Sequence, residues 1–221
     1  VYPLLATGGS LAVPGPEESR DIWELAHFIA RYQVTLVDCS PLMLNQLNEI
    51  AAGSPGLFSS VHTYISGADV LLDGYIGHLS KYGRVYNTYG PTETTVCATY
   101  YRYPGDEPGP VPIGAPIYGY QVYILDTYHR LQPIGVPGEI CIAGAGVARG
   151  YLNKVELTAD RFVGDFHGFF RHGLHGFSRI STDGFIFEGE CGRDERNIVS
   201  DDSNYAPDRK DPNEKFLRGP G

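Results

Sequence analysis

The run Asn87-Thr88-Tyr89-Gly90-Pro91-Thr92-Glu93-Thr94-Thr95 places a rigid turn, several hydroxyls and one carboxylate directly after an apolar, strand-like segment. Gly90 and Pro91 force the backbone to turn, the threonine hydroxyls can bond phosphate oxygens, and Glu93 offers the hard anionic oxygen that Mg2+ prefers. This is phosphate and Mg2+ chemistry in compact form. The same residues also suit the opening of a helix, with Thr92 as N-cap and Glu93 at the positive end of the helix dipole. Residues 144–150 are glycine-rich but lack the Lys-Ser or Lys-Thr ending that gives a phosphate loop its mechanism. They read as a tight β-turn supporting a site, with Arg149 as a structural ion-pair partner. His167, His172 and His175 lie close together among glycines; without a cysteine, a fourth ligand or helical spacing they read as solvated loop residues.

The elements that must position the turn alternate between helical and strand patterns, the grammar of a parallel sheet with crossover helices. Ser19 can cap a helix carrying Ile22, Leu25, Ala26, Ile29 and Tyr32 at helical spacing, and residues 34–37 read as a buried strand. Ser40-Pro41 opens a second helix with Leu44, Leu47 and Ile50 on one face. A strand over 61–65, a third helix with Leu71, Leu72, Tyr75, Ile76 and Leu79, and a strand over 84–88 complete a βαβαβ unit. Open α/β sheets bind ligands beyond the carboxyl ends of their strands. Those ends carry Asp38, then Ser66-Gly67-Ala68, then the turn from Tyr89 to Glu93.

From about Pro104 the pattern changes to Gly- and Pro-rich turns between alternating runs at 121–125 and 139–142, which suggests a smaller antiparallel β unit. The expected organisation is an α/β subdomain over 1–103 with pocket and turn, a β-rich subdomain over 104–190, and a hinge-like segment with a disordered tail over 191–221. With 42% hydrophobic residues, 221 residues can bury a sizeable core. A net charge of −9 leaves no basic stripe, so nucleic acid is excluded as a partner and any phosphate must be held locally, with a metal. Cys39, Cys97, Cys141 and Cys191 form no C-x-x-C pair, which speaks against a zinc knuckle or a disulfide framework and fits a reducing cytoplasm. No apolar run approaches the roughly 18 residues of a membrane span and no export signal is visible, so a soluble cytoplasmic protein with no membrane partner is expected.

Two later segments, Val-Pro-Ile-Gly-Ala-Pro-Ile at 111–117 and Gly-Glu-Ile-Cys-Ile-Ala-Gly-Ala-Gly-Val-Ala-Arg-Gly-Tyr-Leu at 138–152, follow the Asn87 run in order. Together the three resemble the core motifs of the adenylate-forming enzymes, in particular the amino-acid adenylation domains of non-ribosomal peptide synthetases. The resemblance covers residues 1–165 and then decays. It implies part of the large N-terminal domain of an ATP-dependent ligase: a substrate carboxylate attacks the α-phosphate, pyrophosphate leaves, and the aminoacyl adenylate passes its acyl group to phosphopantetheine on a separate carrier domain.

By motif position the resemblance implies Thr92 at the α-phosphate and Glu93 on Mg2+ as the catalytic pair. It implies Tyr89 stacked on adenine and Asn87 offering its side-chain amide to the adenine edge, with Ala68 and Gly90 completing the nucleotide contacts. Read on their own, Tyr89 also suits a core aromatic at a strand end and Asn87 an Asx turn. Asp38, Ile65, Gly67, Thr88, Val96 and Cys97 fall where the family lines its substrate side-chain pocket. A carboxylate among small apolar residues calls for a cationic or hydrogen-bond-donating amino acid such as arginine, lysine or ornithine. The competing reading has Asp38 capping the helix that starts at Pro41.

The sequence also departs from the family. Its upstream Ser/Thr/Gly-rich phosphate loop, the acidic residue for the substrate ammonium and the catalytic lysine of the small C-terminal domain are not found. The chain is therefore expected to be the middle of a longer synthetase, with the remaining segments and the carrier domain as partners and little turnover alone. Phe170-Arg171-His172-Gly173-Leu174 matches the family's Tyr-Arg-Thr-Gly-Asp segment, but Leu174 cannot accept from ribose hydroxyls. Asp183-Gly184 and Gly192-Arg193 resemble downstream elements, one residue too far apart. Two alternatives stay open: an acyl- or aryl-CoA ligase of the same fold, against which the continuation from Thr94 to Thr99 favours the peptide-synthetase branch, and a non-catalytic nucleotide-binding module.

Overall fold

Proline is at home in a first helical turn, where its missing N–H would go unbonded anyway, and Ser40 accepts from the Met43 amide at 3.5 Å. A helix therefore starts at Pro41, as its sequence predicts. The computed structural model describes residues 2–105, 108–163 and 177–180, the last by their backbone. The chain divides into two units, Val1–Glu190 and Cys191–Gly221. The second unit lies outside the described residues, as do the three histidines, Leu174 and the Asp183-Gly184 and Gly192-Arg193 pairs.

After a short α1 (Tyr2–Ala6) come α2 (Ile22–Arg31), β1 (Leu36–Cys39), α3 (Pro41–Gly53), β2 (Thr63–Ser66) and β3 (Arg84–Tyr89). The cap of α2 is Asp21, not Ser19: its carboxylate accepts from the amides of Trp23 at 2.7 Å and Glu24 at 3.3 Å. Asp21 directly precedes the first helical residue, where an N-cap must sit. Strands β1, β2 and β3 are parallel neighbours, with Asp38 opposite Ile65 and Ile65 opposite Tyr86. β3 then turns back into β4 (Thr99–Arg102) and β5 (Ala115–Pro116), giving a mixed five-stranded sheet in the order 1-2-3-4-5. β5 joins this sheet from beyond residue 103. Ala26, Ile29, Leu44, Leu47, Phe58, Tyr64 and Val85 are part of one core where α2 and α3 cover the sheet.

The expected third helix is absent. Two 3-10 turns, Asp73–Tyr75 and Leu79–Lys81, carry the chain from β2 to β3 instead. Gly74 and Gly77 would each cost a helix about 1 kcal/mol relative to alanine. Asn48 of α3, itself 4% exposed, supplies the bonds that a helix would have made internally. Its Nδ2 donates to the Gly74 carbonyl at 3.3 Å, and its Oδ1 accepts from the amides of His78 at 2.8 Å and Leu79 at 3.1 Å. Leu71, Ile76 and Leu79 are nonetheless fully buried, so the apolar pattern marked the core correctly while its period misled. Asn48→Ala leaves three crossover groups without partners and is expected to lower stability by about 2–4 kcal/mol, readable in urea unfolding.

A second, antiparallel sheet pairs β6 (Tyr120–Leu125), β7 (Glu139–Gly144) and β8 (Phe177–Ile180) in that order. Cys141 and Ala143 of β7 pack with Tyr123 and Leu125, while Ile140 and Ile142 pack with Ala98, Ile113, Tyr89 and Tyr120. Side-chain alternation thus lets β7 bury both faces and join the second sheet to the tip of the first. Helix α4 (Val155–Arg161) lies between β7 and β8 in the chain. No helix among the described residues is long and apolar enough to cross a membrane.

Candidate functional site

Parallel pairing puts the carboxyl ends of β1, β2 and β3 at one edge of the sheet. Because side chains alternate along a strand, Asp38, Ile65 and Thr88 share the face opposite Tyr64 and Val85, with Gly67 in step with them. Gly67 has no room for a side chain: a Cβ there would lie 2.7 Å from Thr88 Oγ1, which donates to the Ser66 carbonyl at 3.1 Å. Ser40 makes the α3 cap, so Asp38 is not the capping residue. Its carboxylate is exposed and makes no hydrogen bond among the described residues. Cys97 joins this group electrostatically, since burial and then the Asp38 charge raise its thiol pKa, against a lowering by its bond to Thr99. Val96, at 84% exposed, stands apart. Burial, reinforced by Asp38, pushes the Cys39 thiol up to about 12. Neither thiol is a ready nucleophile at neutral pH.

Beyond Tyr89 no helix opens. Thr92–Thr94 forms a single 3-10 turn preceded by Pro91, with no side-chain cap. Thr95 and Val96 then both take left-handed backbone, at φ 57° and 72°. For β-branched residues this is strained, costing about 1–3 kcal/mol each, and such strain persists only where surroundings impose it. The returning chain is tied by Ala98, whose amide donates to the Tyr89 carbonyl at 2.8 Å. A Cβ on Gly90 would sit 2.6 Å from Cys97 Cα and the Val96 carbonyl oxygen, so only glycine allows that approach.

What imposes the strain comes from the second sheet. The Tyr120 hydroxyl donates to the Thr94 carbonyl at 2.7 Å, Thr95 Oγ1 donates to the Gly146 carbonyl at 2.7 Å, and the Ala148 amide donates to the Glu93 carbonyl at 2.7 Å. Tyr151 donates its phenol proton to Oε1 of Glu93. That bond raises the Tyr151 pKa first, with desolvation and the Glu93 charge adding to it. The glycine-rich run supports the turn in this way, and a Cβ on Gly146 would overlap the Tyr120 hydroxyl and push it off its bond to Thr94. Arg149 is not the ion-pair partner expected of it. It is exposed and forms no ion pair among the described residues.

Of the nucleotide positions, Asn87 is 3% exposed and donates from Nδ2 to the carbonyls of Val111 at 3.0 Å and Pro112 at 2.9 Å. These partners lie 24 and 25 residues away, so it forms no Asx turn. Its amide protons are committed to that tie, which leaves the carboxamide oxygen as the atom able to meet an adenine amino group. Tyr89 is half-buried against the Ala98–Ile113 cluster, and burial with the nearby Glu93 charge pushes its phenol up to about 12. Ala68 is exposed at φ 72°, and Thr92 is exposed with its hydroxyl unbonded among the described residues.

Glu93 is the only carboxylate on this turn, and no cluster of three or more metal-ligating side chains occurs among the described residues. That donor set fits Mg2+, which takes one or two carboxylates and fills its shell with phosphate oxygens and water. Oε1 is engaged by Tyr151, while Oε2 accepts no hydrogen bond among the described residues. The role of Tyr151, Tyr120 and Ala148 was not read from sequence. The only available signal was an aromatic hydroxyl beside an Ala-Arg-Gly step.

The family model for "AMP-binding enzyme" matches residues 1–152. Bacitracin synthase 2 of Bacillus licheniformis is 47% identical over 170 residues, covering 76% of this chain and 6% of that protein. Gramicidin S synthase 2 of Brevibacillus brevis is 37% identical over 166 residues, covering 72% of this chain and 4% of that protein. The chain thus spans a small part of the length of these curated relatives. Among solved structures, NpsA-ThdA, an artificially fused adenylation–PCP di-domain NRPS from Klebsiella oxytoca, superposes with a TM-score of 0.62 at 24% identity, covering 76% of this chain and 33% of that one. The N-terminal subdomain of Klebsiella oxytoca NpsA in complex with 3-hydroxybenzoyl-AMSN gives 0.58 at 23%, covering 76% and 41%. At such identities the likeness is one of fold.

Proposed function

Because this chain belongs to the AMP-binding enzyme family, we propose that it forms part of an ATP-dependent ligase that activates an amino acid as its adenylate for non-ribosomal peptide synthesis. The observation that carries this reading is Glu93, held by the second sheet on a strained turn at the ends of three parallel strands. Adenylation demands alignment more than covalent chemistry from the protein: a carboxylate must meet the α-phosphate in line as pyrophosphate departs. Thr92 donates its hydroxyl to the α-phosphate. Asn87 accepts from the adenine amino group, Tyr89 packs against the base, and Ala68 and Gly90 let backbone approach the nucleotide. Glu93 would hold Mg2+ through Oε2, and a bound cation would supply positive charge to offset that of the departing pyrophosphate. Acyl transfer to phosphopantetheine belongs to a carrier domain outside this chain.

Asp38 sets the substrate side chain in this proposal. An unpaired carboxylate on the face shared with Ile65, Gly67 and Thr88 complements an ammonium or guanidinium group, so lysine, ornithine or arginine is the expected substrate. Amino-acid-dependent ATP–pyrophosphate exchange by the synthetase carrying this segment is expected to favour these over small aliphatic amino acids by about 10-fold or more. The isolated segment is expected to turn over slowly. A preference for aliphatic side chains removes the cationic assignment. Exchange driven by acyl or aryl acids rather than amino acids points to a CoA ligase, and no exchange with any of them to a non-catalytic module.

A further inference from the structure

We propose that Tyr151 is a positioning residue for the nucleotide's metal, aiming the Glu93 carboxylate by a hydrogen bond to Oε1 so that Oε2 is held for the cation; this rests on Glu93 being the metal ligand. Glu93 lies on a one-turn 3-10 segment that has no helix behind it to fix its side chain. Its only described side-chain partner is Tyr151, 58 residues further along the chain. The same segment also holds its backbone, through the Ala148 amide. Both ends of the residue therefore move with the second sheet's loop.

Tyr151 is itself firmly seated. Its amide donates to Thr158 Oγ1 at 2.9 Å, and its ring meets Phe162 edge-on with centroids 5.4 Å apart. Gly150, at φ 135°, has no space for a Cβ because Thr158 of α4 packs there. A phenol anchored on a helix and aimed at a carboxylate on a strained turn is the arrangement that fixes a metal ligand's orientation. Outer hydrogen-bond partners of this kind change metal affinity by about 10–100-fold.

Calorimetric titration of ATP onto the intact synthetase carrying this segment, with excess Mg2+ and separately with EDTA, tests this in the wild type, Tyr151→Phe, Glu93→Gln and the double variant. Tyr151→Phe keeps the ring and its contact with Phe162. It is expected to weaken binding about 10-fold in Mg2+, to leave binding in EDTA unchanged, and to add nothing once Glu93 is Gln. Thr158→Val loosens the Tyr151 seat while leaving its hydroxyl, and a smaller loss of the same Mg2+-dependent kind is expected. Undiminished Mg2+-dependent binding in Tyr151→Phe, an equal loss in EDTA, or a full further loss in the Glu93→Gln background overturns the proposal. If the wild type itself binds ATP no better with Mg2+ than with EDTA, Glu93 is not the metal ligand and the reading beneath it falls as well.

Discussion

Glu93→Gln lowers amino-acid-dependent pyrophosphate exchange by the intact synthetase about 100-fold or more and leaves the fold unchanged, if the turn works as its geometry implies. The substitution removes charge but little else. A carboxamide oxygen can still accept from Tyr151, and the backbone tie to the Ala148 amide does not depend on the side chain. The melting temperature is therefore expected to stay within a degree or so of wild type, as for substitutions that break no buried contact. Raising Mg2+ recovers little, because the amide oxygen is a poor substitute for an anionic ligand. Exchange that survives within threefold would show that the metal is held elsewhere.

Gly90→Ala has the second large effect, and it acts through shape. The added methyl would lie 2.6 Å from Cys97 Cα and the Val96 carbonyl oxygen and 2.8 Å from the Ala98 nitrogen. All three are backbone atoms, so no rotamer change relieves the contact. The return limb must move away, breaking the 2.8 Å bond between the Ala98 amide and the Tyr89 carbonyl and releasing the left-handed pair at Thr95 and Val96. A loss of about 1–3 kcal/mol in stability is expected in chemical denaturation, together with loss of Mg2+-dependent ATP binding. Gly74→Ala is the matched control, since a methyl there meets nothing within 4 Å. Equal destabilisation of the two variants would show that the close approach at Gly90 does not govern the turn.

Much of the scaffold was legible because apolar spacing and capping chemistry are local. Leu44, Leu47 and Ile50 after Ser40-Pro41 define α3, and the short apolar runs before Asp38, Ser66 and Tyr89 define three parallel strands. The crossover from β2 to β3 was misread because helical spacing at Leu71, Tyr75 and Leu79 outweighed Gly74 and Gly77. The decisive bonds came from Asn48 on another element. The fourth strand was missed because Thr99, Tyr100, Tyr101 and Arg102 alternate weakly in polarity. At the site, Glu93 and its turn announce themselves by residue type. The left-handed conformation of Thr95 and Val96 does not, since β-branched residues ordinarily avoid it. Tyr151 was invisible for a different reason: its partner is 58 residues upstream, and nothing nearby marks the pairing.

That separation fixes an order of events during synthesis. When the ribosome has released the chain only as far as residue 103, all three parallel strands, their helices and the Ala98 tie are available, yet Tyr120, Gly146, Ala148 and Tyr151, which hold the turn from the second sheet and its loop, have not been made. Gly146 and Tyr151 bond to positions 51 and 58 residues behind them, so they close loops whose entropy must be met before the contacts reward it. The scaffold is therefore ready early and the carboxylate is aimed late. On the proposed assignment, a nascent chain gains its phosphate grip only once its second sheet has folded back onto the first.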